Sequence, residues 1–173
     1  TVIVERAGDV IPYIVKPLEE ARTGKEKEII FPSECPECGD ELTKPEGEAV
    51  WRCTNINCPA QVIERMIHFV SKDAMDIRSL GESNVRKFYS LGIITDIPSI
   101  YKINFEKVGS LEGFGERSVE KLQQAIQQSK QQPLNRLIFG LGIRYVGEAT
   151  AKELAKNVED IFELQKFSME QLQ

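Results

Sequence analysis

The chain has 173 residues, 41% of them hydrophobic, and 22 Lys+Arg against 27 Asp+Glu give a net charge of -5. Charged residues at 28% sit near the globular average, which excludes a disordered tail or a fibre. The longest apolar run, Leu137 to Ile143, is broken by Gly140 and Gly142 and is far too short to span a bilayer. The first ten residues carry Glu5 and Asp9 where a signal peptide needs an apolar core, so a soluble, cytoplasmic protein with no membrane partner is expected.

The chain opens on TVIVER, turns at Ala7-Gly8-Asp9 and resumes as VIPYIV. This predicts two short strands joined by a tight turn, with the glycine allowing a positive φ. Two strands cannot bury a core alone, and no start methionine precedes them, so the expectation is a sheet whose upstream part is missing. Residues 16–28, KPLEEARTGKEKE, read as a solvated connector.

All four cysteines fall between positions 35 and 58, spaced Cys35-x2-Cys38, fourteen residues, Cys53-x4-Cys58. A cytosolic chain rarely uses such a cluster for disulfides. Each pair forms a knuckle whose short loop turns two thiolates toward one ion, with Gly39 supplying the turn after the first pair. Four sulfurs satisfy tetrahedral Zn²⁺ and leave no position for water, which makes the site structural. An iron–sulfur cluster would take the same ligands, a redox pair at Cys35 and Cys38 would leave the second pair without a purpose, and reduced bystander thiols are the bland alternative. From Val62 the texture turns helical, with Val62, Met66 and Phe69 on one face; His68 lies in this helix and reads as a surface or packing histidine.

A repeat follows. Gly81-Glu82-Ser83-Asn84-Val85 leads to Phe88, Gly115-Glu116-Arg117-Ser118-Val119 to Leu122, and Gly147-Glu148-Ala149-Thr150-Ala151 to Leu154, the glycines being 34 and 32 residues apart. An aliphatic residue stands four positions before each glycine (Ile77, Leu111, Ile143) and an apolar residue one before (Leu80, Phe114, Val146). Each copy therefore predicts an anchored approach, a hairpin at the glycine and an amphipathic helix. Amides of the hairpin and of the helix N-terminus would point outward together and make an anion site that requires no basic side chain.

This matters because charge is unevenly spread. Residues 1–70 hold 8 basic and 13 acidic groups, and residues 71–173 hold 14 of each. Bulk attraction for nucleic acid is thus excluded, and phosphate contact must come from placed groups. Arg86, Lys87, Arg117, Lys121, Arg144 and Lys152 lie at or near the hairpins and could supply side-chain contacts, or could serve only as solvated helix faces. The Glu after each hairpin glycine suits the helix dipole but would repel a phosphate placed directly there. A plain helical repeat whose glycines only cap helices is the alternative. After the third copy, VEDIFELQKFSMEQLQ echoes IPSIYKINFEKVGSL, with Met169-Glu170-Gln171-Leu172 matching Phe105-Glu106-Lys107-Val108, so a fourth glycine is expected near position 180 and the chain reads as cut at both ends.

A paired-cysteine zinc module followed by tandem helix-hairpin-helix units resembles the bacterial NAD-dependent DNA ligases. ERAGDVIP (5–12), ECPECG (34–39), WRCTNINCPAQ (51–61), HFVSKDAMDIRSLGE (68–82), LEGFGERSVEKL (111–122) and LGIRYVGEATAKELA (141–155) carry the resemblance. Gly113-Phe114-Gly115 shows the family's glycine–apolar–glycine hairpin in full, whereas Ser79 and Tyr145 replace the leading glycine in the other two copies.

The resemblance implies a mainly α fold with a small β part. Residues 1–30 would be the end of an OB-type barrel with its connector, 31–61 the tetracysteine zinc module, and 62–173 a tandem helix-hairpin-helix domain with its fourth repeat truncated. It implies one structural zinc on Cys35, Cys38, Cys53 and Cys58, and DNA-backbone contacts at Gly81, Gly113, Gly115, Gly147, Arg86, Lys87, Arg117, Lys121 and Arg144. The partner would be nicked duplex DNA, gripped by a monomer in the bacterial cytoplasm at the nucleoid, with no small-molecule substrate in this region. The adenylating lysine of the family lies in a K-x-D-G motif absent from this sequence, so NAD, magnesium and catalysis are expected in parts of the enzyme outside it. Two competing readings are a non-enzymatic zinc and helix-hairpin-helix adaptor for DNA repair, and a protein-interaction scaffold whose hairpins pack only helices.

Overall fold

The computed structural model describes residues 1–8 and 11–168, which fall into two compact units, one of residues 1–33 and one beginning at Glu34. The first is a hairpin of β1 (Val2–Ala7) and β2 (Ile11–Pro17), antiparallel, with Val4 opposite Ile14, Glu5 opposite Tyr13 and an irregularity between Ile3 and Val4. Gly8 takes φ +62°, the left-handed value expected at the turn, while Asp9 lies outside the described residues. Tyr13 Oη donates to Glu5 Oε2 at 2.9 Å across the pair. The strands enclose no core, and Ile14 is 65% exposed.

The second unit starts with a small antiparallel ribbon, β3 (Leu42–Thr43) on β4 (Arg52–Cys53). Helix α1 (Pro59–Val70) begins immediately after Cys58, with proline in its first turn where the missing N–H costs nothing. It turns Met66, Phe69 and Val70 inward with Val62 half-buried, the face expected from the spacing. Then come α2 (Glu82–Ser90), α3 (Ile97–Ile100), α4 (Phe105–Gly109), α5 (Glu116–Ser129), α6 (Leu134–Gly140), α7 (Glu148–Lys156) and a 3-10 turn, Ile161–Lys166. None of the described helices is long and apolar enough to cross a membrane. The echo predicted at Met169 to Leu172 lies outside the described residues.

The repeat explains the core. In the first copy Ile77, Leu80, Val85 and Phe88 are all buried, and they join Met66, Phe69, Ile94, Ile100, Val108, Leu122 and Ile126 in one apolar cluster. The second copy buries Leu122 fully and packs Leu111, Phe114 and Val119 at the edge of that cluster. The third buries Ala151, half-buries Val146 and Leu154, and leaves Ile143 46% exposed. Packing thus thins from the first hairpin to the third.

Cap chemistry varies along the unit. Helices α3 and α4 are capped by side chains: Asp96 accepts from the Ser99 N–H at 2.8 Å in a reciprocal capping box, and Asn104 accepts from the Lys107 N–H at 3.1 Å. Helices α1 and α6, which follow Cys58 and Pro133, have no side-chain cap. The three repeat helices α2, α5 and α7 have Gly81, Gly115 and Gly147 at the N-cap and no side-chain cap.

Phe88 is fully buried, with its ring 5.3 Å from that of Phe114. Phe88→Ala is expected to cost about 3–5 kcal/mol. Urea unfolding of the purified variant checks this, and a change under about 1 kcal/mol would mean the hairpins do not share one core.

Candidate metal centre and nucleic-acid interface

The first knuckle closes because Gly39 takes φ +76°, letting its N–H reach the Cys35 carbonyl at 2.8 Å while the Cys35 N–H reaches the Asp40 carbonyl at 2.7 Å. The second closes where the Cys58 N–H donates to the Asn55 carbonyl at 3.1 Å, and Gln61 Nε2 on α1 braces it by donating to the Cys53 carbonyl at 2.7 Å. These turns bring four sulfurs together, all within 4.8 Å of one another. Cys35 and Cys58 are buried, and Cys38 and Cys53 half-buried.

The set fits zinc on geometry. A tetrahedron with metal–sulfur bonds of about 2.3 Å has sulfur–sulfur edges of about 3.8 Å. The Cys35–Cys58 and Cys38–Cys53 sulfurs are 3.9 and 3.6 Å apart, and all four cysteines are free of disulfides. The electrostatics ask for a cation as well. Amides of Glu37 and Cys38 bring the Cys35 thiol down to about 7. The Asn55 amide favours the Cys53 thiolate too, but desolvation and the other thiols outweigh it and push Cys53 up to about 12. Four thiolates this close need a positive charge among them. Zinc is the structural ion this site takes; His68 is not part of it, its Nε2–H donating instead to the Phe139 carbonyl at 2.8 Å, with its ring edge-on to Phe139.

The three hairpins share one backbone shape. Leu80, Phe114 and Val146 each donate their N–H to the carbonyl three residues earlier, at 3.2, 3.1 and 3.0 Å. The residue before each is left-handed: Ser79 at φ +69°, Gly113 at +88° and Tyr145 at +67°. These are type II turns, and two of the three are built without glycine. By contrast Gly81, Gly115 and Gly147 sit at φ between -73° and -82°, and a Cβ added at any of them would meet nothing within 4 Å. Neither backbone nor internal packing asks for glycine there. With no side-chain cap, the Glu82, Glu116 and Glu148 N–H groups at the positive ends of α2, α5 and α7 have no hydrogen-bond partner among the described residues.

The basic residues singled out around the hairpins divide sharply. Arg86 is bound on both sides, donating to Glu82 Oε1 at 2.9 Å and Glu64 Oε1 at 2.6 Å. Lys87 Nζ donates to the Glu112 carbonyl at 3.0 Å. Arg144 pairs with Glu48, a residue of the cysteine segment, and stacks over Tyr145 with 4.7 Å from guanidinium carbon to ring centroid. Glu48 also accepts from Arg52 Nε at 3.0 Å and Tyr145 Oη at 3.1 Å; those donors, Arg52 first, hold its carboxyl below the usual range. Arg117, Lys121 and Lys152 make no ion pair or side-chain hydrogen bond among the described residues. Glu48 escaped the sequence reading because it lies 96 residues from Arg144, and no local spacing marks it.

Residues 34–60 match the C4 zinc finger domain of NAD-dependent DNA ligase, and residues 136–173 match a helix-hairpin-helix motif. The chain is 62% identical over 172 residues to a DNA ligase of Persephonella marina, covering 99% of this chain and 24% of that one. It is 47% identical over 171 residues to the DNA ligases of Aquifex aeolicus and Bacillus subtilis, covering 24% and 26% of them. The chain thus spans about a quarter of the length of the curated relatives it matches.

A single zinc ion per chain is expected by elemental analysis. Cys35→Ser should lose that ion to a chelator that spares the unaltered chain, and full retention in the variant would overturn the four-sulfur assignment.

Proposed function

We propose that this segment of the NAD-dependent DNA ligase family is the part that holds duplex DNA while nicks are sealed. The observation that carries the reading is the threefold repetition of one hairpin with an uncapped helix N-terminus, with glycines at Gly81, Gly115 and Gly147 that nothing inside the chain requires. Backbone amides read no sequence, so such contacts fix the protein on the phosphate chain without choosing bases. They also explain how a half with equal numbers of acidic and basic groups can hold a polyanion. The second hairpin is the centre of the grip, with Gly113 and Gly115 bare and with Arg117 and Lys121 unengaged on the helix behind them.

The zinc ion, on this reading, is scaffolding. It fixes the cysteine segment against the start of α1, and it places Glu48 on the third hairpin. Residues 1–30 belong to the end of an OB-type barrel, 31–61 to the zinc module and 62–173 to the hairpin domain. Binding is by a monomer in the cytoplasm. In the whole enzyme, adenylation by NAD and magnesium chemistry take place in parts beyond the matched quarter. This chain supplies no residue to those steps.

The test is binding of the chain to nicked and intact duplex across a salt series. Affinity should fall steeply, with a log–log slope of about 0.9 for each phosphate neutralised. Gly115 has φ -80° and open space at its Cβ, so Gly115→Val leaves the fold intact. It should weaken binding by about tenfold or more, the scale of one lost hydrogen bond to a charged group. Unchanged affinity at low salt would remove the second hairpin from the contact, and a chain that binds no duplex at any salt would favour a scaffold that packs only protein.

A further inference from the structure

Resting on that reading, we infer that Lys87 is a positioning residue, which aims the second hairpin's amide at its phosphate from the helix of the first hairpin. The turn Leu111-Glu112-Gly113-Phe114 is closed by the Phe114 N–H on the Leu111 carbonyl at 3.1 Å, with Gly113 at φ +88°. The middle peptide of such a turn, between Glu112 and Gly113, can rotate as a plate between two orientations that leave the flanking chain in place, which distinguish type I from type II turns. Glycine permits both, so the sequence of this turn does not itself select one. Ser79 and Tyr145 hold the same left-handed conformation in the other two hairpins, against the ordinary preference of an L residue.

Lys87 makes the choice. Its ammonium donates to the Glu112 carbonyl at 3.0 Å and lies 5.4 Å from the centre of the Phe114 ring. A trans peptide points its C=O and N–H in opposite directions. Holding the Glu112 oxygen against Lys87 therefore turns the Gly113 N–H to the far side, where it has no partner among the described residues. The other two hairpins are braced by different means. Asn84 Nδ2 donates to the Ser79 carbonyl at 2.8 Å in the first, and Glu48 takes Tyr145 Oη at 3.1 Å in the third. The brace on the second comes from the preceding repeat, so the two units are set in register by one lysine.

Lys87→Met keeps the unbranched stem over Phe114 and removes the donor with its charge, and Lys87→Arg returns both. With the full chain, Lys87→Met should weaken nicked-duplex binding by about tenfold. The salt slope should stay at the unaltered value, and Lys87→Arg should recover most of the affinity. In the free protein, nitrogen-resolved NMR should show the Gly113 and Phe114 amides shifted or broadened in Lys87→Met. A slope lower by about 0.9 with those amides unmoved would make Lys87 a direct phosphate contact and overturn the inference. So would affinity and amides both unchanged. If the unaltered chain binds no duplex, the hairpin reading has failed, and the amide signals alone then judge whether Lys87 orients the turn.

Discussion

Everything distinctive about the helical unit depends on one backbone constraint, the left-handed residue in the turn before α2, α5 and α7. That residue reverses the chain within four positions, so the approach and the helix leave the turn side by side. The apolar residue after it can then turn toward the core, and the next residue starts a helix with no side-chain cap. For Ser79 and Tyr145 the conformation costs about 1–2 kcal/mol relative to an ordinary one. The constraint is met by different means in each copy: Asn84 on the Ser79 carbonyl with Leu80 buried in the first, glycine braced by Lys87 in the second, and a polar brace from the cysteine segment in the third. The shape is common to all three; the source of its stability is not.

This is also why formal charge is a poor guide to the molecule. Three of the basic residues nearest the hairpins are occupied by the protein itself. Arg86 ties α2 to α1 through Glu64, Lys87 ties α2 to the second turn, and Arg144 ties the third turn to Glu48. These contacts lie at the surface, with Glu48 half-buried, and surface ion pairs contribute little to stability individually. Their effect is geometric. They hold neighbouring turns at fixed angles.

The legible part of the design was what depends on short spacing. Two cysteine pairs, the helical face of Val62, Met66 and Phe69, and the three-copy pattern from Ile77 to Leu154 all follow from intervals of a few residues. Their structural counterparts follow the same intervals. The bland reading of His68 as a packing residue also matches its place against Phe139. What spacing could not reveal was pairing at a distance. Nothing in the sequence couples Glu48 to Arg144, or Lys87 to the Glu112 carbonyl, because a side chain that reaches across a fold is specified by the packing of everything between. The third hairpin was legible, but the left-handed conformation of Tyr145 was hidden for a related reason. Its backbone is imposed by the elements on either side, so the residue type that usually announces such a turn was not needed.

Cys58 has two jobs in one residue: it is the last sulfur of the metal centre and the residue from which α1 starts. No spare peptide lies between ion and helix to serve as a hinge. A tilt of the sulfur tetrahedron therefore has to swing the axis of α1, and α1 carries Met66, Phe69 and Val70 into the shared core. The ion behaves as the fixed pivot of a lever about 18 Å long, at 1.5 Å for each of the 12 residues of α1. Small angular errors at the sulfurs would become displacements of a few ångströms where that helix ends, beside the approach to the first hairpin.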